Sequence, residues 1–221
     1  MTVSFERGEG LLVARLDDGK ANALGFEMIA GLRDALAISI AEKAALVIAG
    51  REDCFCAGFD LHIMRSGHRD RVASLVTQGS LLFQEMFAAP IPVLAACTGH
   101  ALAAGALLLL ASDYRIGQSG PYKIGLNETR IGIALPQFAV DMARFRLSTN
   151  RLLAVTLFAG ILSPEEACDV GFLDRLAPDA RLAAGSLAGD LTSIDLSAFA
   201  KSKERLNAEI VGRLGEAHQR E

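Results

Sequence analysis

Short apolar runs alternate with amphipathic stretches along this chain. Residues 11–16 (Leu-Leu-Val-Ala-Arg-Leu) predict a strand, closed by the turn cluster Asp17-Asp18-Gly19. Over 26–40 the apolar positions Ile29, Leu32, Leu36 and Ile40 recur at helical spacing, with Glu27, Arg33 and Asp34 on other faces. Residues 45–50 and 93–97 are short, uninterrupted apolar runs, as in strands buried on both faces. Between them, 74–87 reads as a helix that stops ahead of Pro90. Residues 105–111 read as a helix that is apolar all round, and 113–116 as a further strand.

This alternation predicts an α/β protein. Beyond Pro136 the chain turns helical, with candidates at 137–147 and 150–158. Ser163-Pro164-Glu165-Glu166 is a helix start: Ser at the N-cap, Pro at the first position, and Glu at the third to complete a capping box. Gly171 suits that helix's end. After Pro178 the chain is rich in Ala, Ser and Gly, and 197–214 has the pattern of a final amphipathic helix. The uncharged stretch 93–112 is about long enough to cross a bilayer. Thr98-Gly99-His100 interrupts it, however, and Asp113 closes it without a basic anchor, so strand, turn and buried helix are expected and no membrane span.

Composition narrows the functions. A net charge of −4, no basic run and no Trp give no footing for a nucleic-acid partner. The four cysteines (Cys54, Cys56, Cys97, Cys168) lack zinc-ligand spacing, so no metal is expected and free thiols in a reducing cytoplasm are. No secretory signal is visible at the N-terminus. A serine hydrolase is set aside, since no GxSxG elbow occurs. His100 reads as structural, His62 and His68 as part of a polar surface loop over 61–71, and Met64 and Met86 as packing.

Two glycine-bearing turns each follow a buried strand: Cys56-Ala57-Gly58-Phe59-Asp60-Leu61 and Gly99-His100-Ala101-Leu102-Ala103-Ala104-Gly105. Small residues at such turns let a ligand approach backbone N–H groups left unpaired at a helix start. One N–H from each would form an oxyanion hole, each donor worth about 3 kcal/mol of barrier. Glu128 stands in a mostly apolar segment between Gly125 and Gly132. Desolvation there would raise its pKa and make it a proton acceptor near neutral pH. A helix cap, or a salt bridge to Arg130 or Lys123, explains the same residue.

These segments, above all Ile124-Gly125-Leu126-Asn127-Glu128-Thr129, resemble the crotonase (enoyl-CoA hydratase/isomerase) superfamily over about 22–176. With Gly132-Ile133 and Pro136 added, the last segment is most similar to the mitochondrial-type Δ3,Δ2-enoyl-CoA isomerases. The resemblance implies a spiral of ββα turns over 1–176 and a shortened C-terminal helical tail over 177–221. Trimers or pairs of trimers are the usual assembly. It implies Phe59 and Ala104 as oxyanion donors and Glu128 as the proton-transferring base. Ala57, Gly58, Asp60 and Leu61 would run past the coenzyme A moiety, and Gly105, Leu107 and Asn127 would line the substrate site. Coenzyme A then belongs to an acyl-CoA substrate, and no separate cofactor is needed.

The family's hydratases carry a second glutamate where this chain has Leu107. Adding water across a double bond is easiest with two carboxylates gripping that water, whereas moving the double bond needs one base. A single Glu in a dry pocket therefore points to an isomerase that shifts a 3-enoyl-CoA to the 2-enoyl form. A hydratase and a non-catalytic acyl-CoA-binding member are the alternatives. Ala104, at a position usually occupied by glycine, is expected to restrict the backbone of the second turn.

Overall fold

The computed structural model describes residues 2–217. The chain opens with an antiparallel hairpin, β1 (Val3–Gly8) and β2 (Leu11–Leu16), and then α1 (Phe26–Glu42). Three rounds of strand, strand and helical segment follow. The first is β3 (Ala45–Ala49), β4 (Asp53–Cys56), the four-residue α2 (Leu61–Met64) and α3 (Arg69–Ala88). The second is β5 (Val93–Cys97), β6 (Gly99–Leu102) and α4 (Ala104–Ala111). The third is β7 (Tyr114–Gln118), β8 (Ile124–Gly125) and a 3-10 turn over Glu128–Ile131.

In each round the first strand joins one sheet and the second joins another. The larger sheet runs β1-β2-β3-β5-β7-β9, parallel from β2 onward, and the smaller runs β4-β6-β8, also parallel. This is the expected ββα spiral. After α5 (Gln137–Arg146) and α6 (Leu152–Val155) come α7 (Pro164–Val170), β9 (Arg175–Ala177), α8 (Ala180–Asp190) and α9 (Leu196–Ala217).

The apolar runs are buried on both faces, each face for its own reason. Leu46, Ile48, Val93 and Ala95 enter the main core with α1, α3 and α4. Val47, Ala49, Leu94 and Ala96 pack with Ala180, Ala184 and Ala188 of α8. Those alanines recur every four residues, so the Ala-rich segment after Pro178 is a helix whose small stripe lies close against the sheet. Among the described residues no helix is long and apolar enough to cross a membrane.

Several boundaries differ from the pattern-based expectation. α3 begins at Arg69 rather than 74, because its first two turns carry exposed polar residues that show no apolar period. The polar loop expected over 61–71 is in part α2, which Asp60 caps by accepting the N–H of His62 at 2.8 Å. The helix expected over 150–158 is only α6, and it is followed by a left-handed residue, Ala159, with φ 47°.

Candidate active site

The two glycine-bearing turns meet. The first is pinned along residues 21–24: Ala57 donates to the Ala21 carbonyl, Asp60 to the Leu24 carbonyl, and Leu24 donates to the Gly58 carbonyl. Gly58 has φ +104°, a conformation that favours glycine. A Cβ on Gly58 would lie 2.9 Å from the Ala103 methyl and 3.4 Å from the Ala104 nitrogen. One on Gly105 would lie 2.0 Å from the Cys56 carbonyl oxygen. Glycines at 58 and 105 thus let the second turn lie directly on the first. Among the described residues, neither the Phe59 nor the Ala104 N–H has a hydrogen-bond acceptor in the chain.

The backbone restriction expected at Ala104 falls one residue earlier. Ala104 is the first residue of α4 with ordinary helical geometry, while Ala103, its N-cap, has φ 50° and ψ −124°. Holding an alanine there costs on the order of 1–3 kcal/mol. Its carbonyl accepts the N–H groups of Ala106 and Leu107, and its own N–H reaches Gly125.

That last bond ties the second turn to β8 and so to the carboxylate. Glu128 opens the 3-10 turn and is 7% exposed. Among the described residues it takes part in no ion pair; Arg130 and Lys123 are exposed and do not reach it. Its Oε2 is buried without a hydrogen-bond partner, as is Oδ1 of Asn127. Burial pushes the Glu128 carboxyl from its ordinary 4.5 up to about 7, opposed by its own backbone N–H. The turn is fastened by Thr129, whose hydroxyl donates to the Leu157 carbonyl at 3.1 Å.

These groups surround a cavity of about 220 Å³. Of the residues singled out from sequence, Ala57, Phe59, Leu61, Leu107, Asn127 and Glu128 line it. Gly58, Ala104 and Gly105 stand behind its wall as the contact between the turns, and Asp60 serves as the cap of α2. Ile133 and Pro136 line the cavity too, as do Ala103 of the second turn and Met64, which packs on the core as expected and also faces the cavity; Arg65, Val76, Ile131 and Ala134 complete the lining without having been singled out. Arg65 left no pattern to find, since it caps the end of the four-residue α2, which is too short to show a period. Arg65, Asn127 and Glu128 are the polar side chains of an otherwise apolar lining. A larger cavity of about 380 Å³, lined by Arg15, Arg51 and Arg181, contains none of the converging groups. Two of its arginines are already engaged, Arg51 with the Lys20 carbonyl and Arg15 with Asp17. His100 Nδ1 accepts the Lys123 N–H, a structural bond. Among the described residues no cluster of three or more His, Cys, Asp or Glu has the arrangement of a metal site.

The arrangement places a poorly solvated carboxylate in an apolar cavity beside two adjoining turns that each carry a backbone N–H free among the described residues. The chain is similar, at 33% identity over 180 residues, to a probable enoyl-CoA hydratase of Rhodobacter capsulatus, covering 80% of this chain and 69% of that protein. It is 28% identical to the mitochondrial enoyl-CoA delta isomerase 1 of Homo sapiens, covering 84% of this chain and 63% of the relative. A solved enoyl-CoA hydratase/isomerase family protein of Pseudomonas syringae superposes with a TM-score of 0.95 at 33% identity, covering 99% of this chain and 96% of that one. The enoyl-CoA hydratase/isomerase family model matches residues 6–220. On sequence and fold together, the chain belongs to the enoyl-CoA hydratase/isomerase family.

Proposed function

We propose that the protein is an enoyl-CoA isomerase that moves the double bond of a 3-enoyl-CoA to the 2-position, with Glu128 as its one acid–base group. The observation that carries this reading is the pairing of a buried, unpartnered Glu128 with Leu107 in the same cavity. Leu107 is 1% exposed and offers no polar atom, so a water beside Glu128 has no second carboxylate to hold it. Isomerisation needs none. The thioester oxygen accepts the N–H groups of Phe59 and Ala104, and Glu128 Oε2 takes a proton from C2. The electron pair released spreads over the dienolate, whose negative oxygen the two amides stabilise. Protonated Glu128 then returns the proton at C4, leaving the double bond between C2 and C3 and the carboxylate restored. Ala57 and Leu61 would run past the coenzyme A moiety, and Asn127, with an unpartnered Oδ1, would line the acyl site. Trimeric assembly belongs to the same reading, and sedimentation velocity tests it.

Incubation with a 3-enoyl-CoA should produce the absorbance of the conjugated 2-enoyl thioester. Glu128→Gln should slow it by about 10²–10⁴-fold. Glu166→Gln should not, because Glu166 is occupied with the α7 capping box. A 3-hydroxyacyl-CoA product would instead make the protein a hydratase. Thioester binding without turnover would make it a non-catalytic member.

A further inference from the structure

Near the midpoint of α3 stands a buried glycine, Gly79. Glycine inside a helix weakens it relative to alanine, and Gly79 is not among the residues with positive φ, so helix geometry gives no reason for it. The reason lies in space. A Cβ on Gly79 would sit 2.5 Å from Cε1 and 2.6 Å from Cζ of Phe59, and its three nearest heavy atoms would all be in that ring. Phe59 in turn lines the cavity, as does Val76 one turn earlier on α3, while Gly79 does not. The ring therefore fills a notch in α3 on one side and forms cavity wall on the other. We infer that the Gly79–Phe59 contact sets the length of acyl chain the cavity admits, with Gly79 a specificity-determining residue that never touches substrate.

The inference rests on the acyl-thioester reading above. A methyl at position 79 meets the far end of a side chain rather than backbone, so the ring yields and α3 stays. With α3 behind it, the ring moves toward the cavity and shortens it.

The test compares the native protein, Gly79→Ala, Phe59→Leu and the double variant on 3-enoyl-CoA substrates of rising chain length. Phe59→Leu keeps the backbone N–H at position 59 and shrinks the wall. Gly79→Ala should lower kcat/KM for long chains by about tenfold or more relative to short ones. Phe59→Leu should extend the accepted length, and the double variant should regain the long chains that Gly79→Ala loses. An equal loss at every length, or none, overturns the inference. Binding of saturated acyl-CoA thioesters gives a readout independent of turnover: the chain length at which affinity stops rising should be shorter in Gly79→Ala, and an unchanged length overturns the inference. Native protein that turns over no 3-enoyl-CoA would end the isomerase proposal, while the binding series would still decide the length limit.

Discussion

At the scale of single residues, Glu128 couples the proposed chemistry to stability. A base must be ionised, so kcat/KM should fall about tenfold per pH unit below about 7, the value to which burial raises this carboxyl. The same shift has a folding consequence of opposite sense. In the unfolded chain Glu128 ionises near 4.5, so between that value and about 7 the folded state binds the extra proton, and stability falls as pH rises through this window. Above it the buried charge costs about 3 kcal/mol, at 1.36 kcal/mol per pH unit. Glu128→Gln should therefore melt higher than the native protein near pH 8, with the gain shrinking as pH falls through the window and gone by about pH 4, below the unfolded value. Melting curves with equal gains at both pH values would show the carboxylate to be well solvated. The desolvation of Glu128 was legible in its apolar neighbours. Its freedom from Arg130 and Lys123 was not, because the tight 3-10 turn, which decides where those cations lie, has no apolar signature. Gly58 is the complementary case: its φ of +104° and its contact with the Ala103 methyl leave no room for a side chain. Gly58→Ala should separate the two amides, lowering turnover by about 10²-fold and also the melting temperature.

Among the elements, the longer apolar runs were readable and the shortest strands were not, although Phe55, Cys56, Ala101 and Ile124 of those strands are also buried. Residues 45–49 and 93–97 form strands covered on both faces, and Ser163 and Glu166 make the capping box their spacing promised. The smaller sheet left no such trace. β4, β6 and β8 have four, four and two residues, and a two-residue strand has no period to detect. Yet this sheet brings the turns and the glutamate together, since β6 lies between β4 and β8. The 3-10 turn that follows is tethered through the Thr129 hydroxyl, whose shorter bond is to the Leu157 carbonyl. Loss of that bond should loosen Glu128 without touching substrate. Thr129→Val should reduce kcat by about tenfold with KM nearly unchanged, and Thr129→Ser should restore it. If Thr129→Ser is as slow as Thr129→Val, the hydroxyl is not what holds the turn.

At the scale of the whole molecule, the final helix is fastened by a polar pin as well as by its apolar stripe. α9 buries Ile210 and Leu214, but it also buries Lys203, 5% exposed, against residues that flank β5 and α4. There Nζ donates to Asp113 at 2.6 Å and to the Ile91 carbonyl at 3.1 Å, while Asn207 donates to the Phe87 carbonyl at the end of α3. Burial lowers the Lys203 pKa and raises that of Asp113, so each charge survives because of the other. Removing one partner from such a pair strands the other, whereas neutralising both removes the burden of desolvation. Lys203→Met should thus destabilise the protein by about 3–5 kcal/mol, roughly 10 °C for a chain of this size. Lys203→Met combined with Asp113→Asn should recover more than half of that loss. Because α9 packs along α3, which carries Val76 and Gly79, the single variant should also blur the chain-length limit before it unfolds. Calorimetric melts of the two single variants and the double variant measure the coupling. If their losses simply add, the pin contributes nothing and α9 is held by Ile210, Leu214 and their neighbours alone.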